Sequence, residues 1–546
     1  MATMRKIELY LYNVGNDCMR LIDKIKGVFR KKAVEKDKLF QYEEFKERYV
    51  SKSLKENRDY LQQVFTHTKD IIIRNITIRA TKQNLMIVFV DGMVDRNVVN
   101  EHLIKPILID MAPENYGRRL SFEEIRDSFI SAAEIKEAET FDELVLQLLS
   151  GDTLLFLEGQ NRGLIIGSKG WESRGISEPT TEANVQGPKD CFVETLQNNI
   201  TSIRRRIRDP NLAIEMLKVG RRSKTDVAVV YLKGVIMDGL AQSVIEKIKK
   251  VDVDSLLDSS QLEYLIEERK WTIFPQSVNT ERPDKACAAI FEGRIAILVD
   301  GSPFAVLVPS TFSMYLDASD DYYTRPLVAS LVRFTRYFCY FLSASLPGLY
   351  VAITNFHPGM LPPRLALAIT TTRVALPFPT FVEVFIMESV IEIMQEAGLR
   401  LPQAIGQTVS IVGGIVIGQA AVQAGLVSPI VTIIVALTAI ASFTLPNYNA
   451  NLTTRTLRIP FIIAGSTFGF FGIVMLALAI LSHMSAIETF GVGYFEDFSP
   501  YRLRDLKDTM VKVPASLMKD RPELLKPQDT VRQVNNKSSG ENQDEK

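Results

Sequence analysis

LPQAIGQTVSIVGGIVIGQAAVQAGLVSPIVTIIVALTAIASFTLPNYNANLTT (401–454) runs for 54 residues without an Asp, Glu, Lys, Arg or His, in a chain of which 23% is charged. A lipid bilayer explains such a run, because an ionised side chain at its centre costs several kcal/mol or must find a partner there. The depletion extends outward. Residues 326–487 hold seven Arg, four Glu, no Lys and no Asp, whereas residues 1–325 are dense in all four charged types and charge returns after 488. The fold expected is therefore α/β, with a soluble N-terminal region of two subdomains followed by an α-helical transmembrane domain.

The whole chain has 64 basic and 64 acidic side chains, a balance that gives no support for a nucleic-acid partner. Four scattered Cys and four isolated His offer no metal-ligand spacing, so no metal or cofactor is expected. The opening MATMRKIELYLYNVGND has no continuous apolar run and predicts an N-terminal region on the cytoplasmic side. Residues 1–50 read as a charged lead-in, 51–150 and 151–325 as two soluble α/β subdomains, 326–487 as the membrane domain, and 488–546 as a cytoplasmic tail with a disordered end.

In the soluble part, MIVFVDGMVD (86–95), DTLLFLEG (152–159), RGLIIG (162–167), DVAVVYLKG (226–234) and RIAILVDG (294–301) read as strands closed by turns. Helices are expected over 96–108, 121–125, 242–251 and 260–268. Their alternation with strands predicts mixed or parallel sheets. VFVDG and ILVDG end alike, but their flanks differ, so shared turn chemistry explains them better than a repeat. No phosphate loop, nucleophile elbow or zinc motif is present, and no catalytic residue is assigned. Arg204–Arg206 and Arg208, with Arg221 nearby, read as a solvated helix face, with an anion site as the alternative.

Four stretches reach the ~20 residues that a span requires: 337–356, 406–426, 427–446 and 460–482. Arg325, Arg333 and Arg336 place the start of the first inside, and Arg455 and Arg458 then fall outside. The stretch 363–400 reads as amphipathic or re-entrant. Glu388, Glu392 and Glu396 share one helical face. They would sit in headgroups, pair with Arg373 or Arg400, or ring a cation vestibule. In the second span, Ser410, Gly414 and Gly418 recur at four-residue intervals beside Gly413, a spacing for close helix packing. Gln407, Gln419 and Gln423 add a polar stripe, which hydrocarbon tolerates only with partners or water. Either packing within one subunit or a pore helix around a symmetry axis fits these residues. In the fourth span, packing accounts for Gly465, Gly469 and Gly472.

The chain also resembles the A-subunit family of bacterial spore germinant receptors, the GerA family, over about residues 55–500. The resemblance is carried by EPTTEANVQGPKDCFVETLQNNI (178–200), RIRDPNLAIEMLKVGRRSKTDVAVVYLKG (206–234), FPQSVNTERPD (274–284), EGRIAILVDGSPFAVLVP (292–309), DDYYTR (320–325) and EAGLRLPQAIGQTVSIVGGIVIGQAAVQAGLVSP (396–429). It implies a multi-pass protein of the spore inner membrane, with both terminal regions in the spore core. It also implies a homo-oligomeric ring, a transporter-like B subunit, a lipoprotein C subunit, and monovalent cations passing through a nutrient-gated channel. On that resemblance the pore lining or gate falls on Val409, Val412, Val416, Gln419 and Gln423, with Ser410, Gly413, Gly414 and Gly418 allowing close approach. Apolar Val rings suit a dewetting gate, and Glu388, Glu392 and Glu396 suit a vestibule. The alternatives are a membrane-anchored nutrient-binding receptor or scaffold without its own conduction path, a secondary transporter, disfavoured by the lack of a visible inverted repeat, and a tethered enzyme, which lacks a site.

Overall fold

The computed structural model describes residues 45, 48–78, 82–110, 122–128, 134–170, 181–182, 184–374, 376–400, 416–499 and 505–533. Most of the charged lead-in 1–50, the start of the helix expected over 121–125 and the last dozen residues lie outside them.

The N-terminal half holds two five-stranded sheets. Helix α1 (Leu54–Val64) leads into the hairpin β1 (Ile71–Thr77) and β2 (Asn84–Val90). A wide-turned helical stretch, Val98–Ile104 and Pro106–Asp110, follows, then α2 (Phe122–Ser128), β3 (Ile135–Ala138), α3 (Phe141–Leu148), β4 (Thr153–Leu157) and β5 (Gly163–Ile166). The second set is α4 (Leu196–Arg206), β6 (Leu212–Val219), β7 (Thr225–Leu232), α5 (Leu240–Lys249), α6 (Ser259–Ile266), β8 (Val278–Thr280), α7 (Pro283–Glu292), β9 (Ile295–Val299) and β10 (Ala305–Val308).

The strand orders are β1-β2-β4-β5-β3 and β6-β7-β9-β10-β8. They are the same order, reached through the same sequence of helices, so the second sheet repeats the first. VFVDG closes β2, the second strand of its set, whereas ILVDG closes β9, the fourth of its own. The pair that invited comparison was out of register. β2 corresponds to β7, and β4 to β9.

Every strand pairing in the two sheets, among the described residues, is antiparallel, which corrects the mixed or parallel expectation. The helices do not carry the chain between parallel neighbours. Two hairpins form each sheet's centre, and the third strand of each set returns to pair beside the last. The central strands β4, β5, β9 and β10 are buried along their whole length, as covered faces require.

The two sets meet at Arg204 on α4, which is fully buried. Its Nε and Nη2 each donate to Asp70 at 3.1 Å. The bidentate geometry is what a buried guanidinium needs to offset its desolvation. This corrects the reading of Arg204 as part of a solvated helix face.

The helical part starts with α8 (Pro326–Phe356), followed by α9 (Pro363–Arg373), α10 (Thr380–Arg400), a helical stretch over 416–423, α11 (Pro429–Phe443) and α12 (Tyr448–Ser485). Two of these, α8 and α12, are long and apolar enough to cross a membrane. The 427–446 stretch forms a helix of only 15 residues, about 22 Å long and so shorter than the span expected there.

α12 is not straight. Gly469 has φ 60° and ψ −142°. Before it, Thr453 Oγ1 donates to the Ile273 carbonyl at 3.0 Å, and after it His483 Nε2 lies 2.9 Å from Thr272 Oγ1. Arms of about 24 Å and 21 Å therefore end on adjacent residues, so the helix folds back on itself. A Cβ at Gly469 would lie 2.9 Å from Phe356 Cβ, and the left-handed φ also favours glycine. Gly469 is thus a reversal point, where packing alone had been expected.

One core joins the second sheet to the helices. Phe312, Tyr315, Ala344, Leu457, Phe461, Ile473 and Tyr494 belong to the same buried cluster as Ala228, Val230 and Leu298 of β7 and β9. After α12, the short hairpin β11 (Glu488–Thr489) and β12 (Val492–Gly493) and the segment 505–533 return to the second sheet's helices, where Arg521 Nε donates to the Phe291 carbonyl at 2.9 Å. The helical part begins and ends on the same side.

Candidate functional site in the helical part

α8 provides the frame. Its start is held by charge: Arg333, fully buried, reaches Asp321 Oδ2 at 3.0 Å, Asp508 Oδ1 at 3.0 Å and Asp317 Oδ1 at 3.4 Å. Arg336 reaches Asp321 at 2.7 Å. Of the three arginines read at the start of the first span, Arg333 and Arg336 are buried pairs that lock the first long helix to the preceding loop and to the tail, whereas Arg325 is exposed. The acid run DASDD (317–321) shortly before them was a usable signal.

α10 runs antiparallel to α8. Thr380 Oγ1 donates to Asn355 Oδ1 at 3.0 Å near the end of α8. Further along α10, Glu388 meets Arg458 at 3.1 Å, and Arg458 Nε donates to the Ser343 carbonyl in the middle of α8 at 2.7 Å. Glu392 accepts from Arg455, with Nε at 3.0 Å. Glu383 is buried, lies 3.6 Å from Arg373 and accepts from the Ser428 backbone N–H at 3.0 Å. Glu388 and Glu392 of the stripe are therefore paired, with Arg458 and Arg455. Arg373 serves Glu383, and the Arg400 side chain lies outside the described residues. Arg455 and Arg458 belong to the first turns of α12, near the soluble part. Packed against α8, α11 and α12, α10 is a member of the bundle rather than a surface-lying helix.

α12 approaches α8 at backbone contact. Gly348 faces Phe461 and Gly465, and a Cβ on either glycine would clash with the other helix's carbonyls. Small residues here permit the close crossing that membrane helices use.

Of the expected pore residues, Val409, Ser410, Val412, Gly413 and Gly414 lie outside the described residues. Val416, Gly418, Gln419 and Gln423 lie on the helical stretch 416–423. Val416 (56% exposed), Gln419 and Gln423 are exposed, whereas Gly418 is buried, and a Cβ there would sit 3.4 Å from Thr432 Cγ2 of α11. At 100° per residue, Val416, Gln419 and Gln423 share one face with Gly418 opposite. One face thus packs into the chain and the other, polar in part, points away from it.

The family model "Bacillus/Clostridium GerA spore germination protein" matches residues 59–524. The chain is 38% identical to spore germination protein KA of Bacillus subtilis, covering 89% of each chain. It is 36% identical to spore germination protein B1 of the same species, over 89% of this chain and 99% of that one. It is also 35% identical to spore germination protein GerLA of Bacillus cereus, over 88% and 96%. A crystal structure of the N-terminal domain of the A subunit of the Bacillus megaterium spore germinant receptor GerK3 is similar at 31% identity and a TM-score of 0.39, covering 48% of this chain and 98% of that one. The chain belongs to the GerA family of spore germination proteins.

Proposed function

We propose that this chain is the A subunit of a nutrient germinant receptor in the spore inner membrane, and that copies of it assemble around an axis into a nutrient-gated monovalent-cation channel. Family membership supports the receptor reading. One observation carries the channel reading: Val416, Gln419 and Gln423 form an exposed face on a helix whose other face is packed. Glutamine facing hydrocarbon is costly, and a partner or water removes the cost. Further copies of the same helix around a water-filled axis supply both. Val409 and Val412, on the same continuous apolar segment, complete the lining, and Ser410, Gly413 and Gly414 allow close approach.

In this reading the helical part crosses the membrane an even number of times. The soluble part and the tail then share the core side. Glu396, exposed near the soluble end of α10, would charge the cation vestibule, with Glu392 held beside it by Arg455. Glu388, buried against Arg458, would hold the bundle. The B and C subunits of the receptor would deliver the nutrient signal.

Spores carrying Gln419→Leu together with Gln423→Leu test this. The expected result is loss of nutrient-triggered germination with a normal level of the chain in the membrane, because a wet polar lining has become apolar. A normal nutrient response would mean that the face meets lipid, where leucine is the better residue, and would overturn the pore assignment.

A further inference from the structure

Trp271 is the most exposed large apolar side chain among the described residues, with its whole surface open. It sits on a turn in the loop between α6 and β8. Arg269 and Lys270 are exposed just before it, and Ile273 is partly exposed just after it. The acids that precede the turn are engaged. Glu268 meets Lys247 at 2.7 Å, and Glu267 accepts from the Gln276 N–H at 3.2 Å. The turn therefore presents an indole ring and two cations outward.

This presentation is built into the loop. The buried Gln276 side chain accepts from the Arg269 N–H at 3.2 Å and donates to the Arg269 carbonyl at 2.8 Å. Thr272 Oγ1 accepts from the Phe274 N–H at 3.2 Å. Phe274 is buried in the core shared by the second sheet and the helices, against Tyr494 and His483. Phe274 is thus fixed inside while Trp271 is held outside.

The position of the turn says what covers it. Both arms of α12 end there, the first on Ile273 and the second on Thr272. The arms measure about 24 Å and 21 Å, against a hydrocarbon core of about 30 Å. An α12 whose reversal at Gly469 reaches the far headgroups therefore ends within the near leaflet and carries the turn to the headgroup–acyl boundary. The exposed apolar residues Phe471, Met475, Leu478 and Leu481 lie on one face of the second arm. Their stripe runs down to His483, and so to Thr272 beside Trp271.

We propose that the turn 269–273 anchors the second sheet to the lipid surface. Trp271 seats at the headgroup–acyl boundary of the leaflet nearest the soluble part, and Arg269 and Lys270 lie on its anionic headgroups. Indole rings and basic side chains both collect at that level of a bilayer, the first for its apolar body and polar N–H, the second for the negative surface potential. The anchor braces the loop on which α12 ends against the membrane itself. The inference rests on the membrane reading of the helices and not on the channel.

Tryptophan fluorescence of the full-length chain in liposomes tests it. The chain has two Trp, so Trp171→Phe leaves Trp271 as the reporter. The liposomes contain phosphatidylglycerol and a phosphatidylcholine brominated near the glycerol end of its chains, and flotation verifies insertion. Trp271 should emit at shorter wavelength than tryptophan in water and lose most of its emission to the brominated lipid. Arg269→Glu combined with Lys270→Glu should restore much of that emission. Should Trp171→Phe not fold, the difference between wild type and Trp271→Phe, a change at a fully exposed position, reads the same signal. Water-like emission without bromine quenching, in a chain that floats, would overturn the anchor and leave the membrane reading intact. Blue-shifted emission without bromine quenching would overturn it as well, because protein rather than lipid would then cover the ring. Unchanged quenching in the double variant would overturn the headgroup contacts of Arg269 and Lys270. A chain that does not float would overturn the anchor together with the membrane reading.

Discussion

The two sheets share a strand order and differ in what they touch. The first is closed on itself. Its two faces are covered by separate clusters, one with Phe141, Leu144 and Phe156, the other with Leu103, Phe122 and Leu155, and neither cluster reaches the helical part. The second has one face of its own, but its other face continues into α8 and α12 through Phe312, Tyr315 and Tyr494. Its connecting loop 267–276 receives both ends of α12, and its outer helices receive the tail. A duplicated architecture has thus been divided into an appended unit and a transmitting unit. Topology alone does not assign those roles. They follow from aromatic side chains and buried charges added to one copy.

Arg333→Met should break the transmitting unit most severely. It leaves Asp317, Asp321 and Asp508 without their shared cation, and removing one side of a buried ion pair costs about 3–5 kcal/mol. The expected readout is a large fall in melting temperature of the whole chain, together with protease cleavage of the tail. An unchanged melt would remove the charge cluster from the joint. Arg204→Met should be smaller and local, about 3 kcal/mol, because it strands only Asp70 at the contact between the sheets. Hydrogen exchange should rise in β1, β2 and α1 while α8 and α12 keep their protection. Equal loss of protection in α8 would contradict the division.

The smallest effect concerns the loop under α12. Burial raises the Glu267 carboxyl from 4.5 to about 7, with Glu263 adding to the rise and the Gln276 N–H opposing it. Its folded value is the higher one, so the native state binds the extra proton. Its contribution to stability is complete below the unfolded pKa and is lost as pH rises through about 7. Glu267→Gln should melt at a higher temperature than wild type at about pH 8, with the difference closing towards about pH 5. A pH-independent difference would mean that this carboxyl does not titrate as its burial implies.

Much of the fold was legible because its central strands are covered on both faces and so appear as continuous apolar runs. β2, β4, β5, β7 and β9 were all readable. β1, β3, β6 and β8 were not. They are the edge strands of the two sheets, and IIIRNIT and LAIEMLKV carry charge or polar residues along partly exposed ladders. β10 follows directly on the turn that closes β9 and did not stand out as a separate strand. The repeat was hidden because it is conserved in pairing geometry, while the one matching pair of strand endings came from non-equivalent strands.

In the helical part, helical periodicity correctly placed Glu388 and Glu392 on one face. It could not name their partners. Arg455 and Arg458 lie more than 60 residues away, and only the antiparallel course of α10 beside α8 and α12 brings them into reach. Gly469 was hidden for a related reason, since small-residue spacing signals close packing whether the helix continues or turns back. Of the polar stripe read in the sequence, Gln419 and Gln423 are exposed, and Gln407 lies outside the described residues.

The most direct test of the account is K⁺ and Na⁺ flux through liposomes containing the purified full-length chain as a verified oligomer, with Val412→Ala beside wild type. The account predicts a closed wild type and a leaky, cation-selective variant, as widening an apolar gate would produce. Oligomers that pass no ions in either form would contradict it and place the conduction path in a partner subunit.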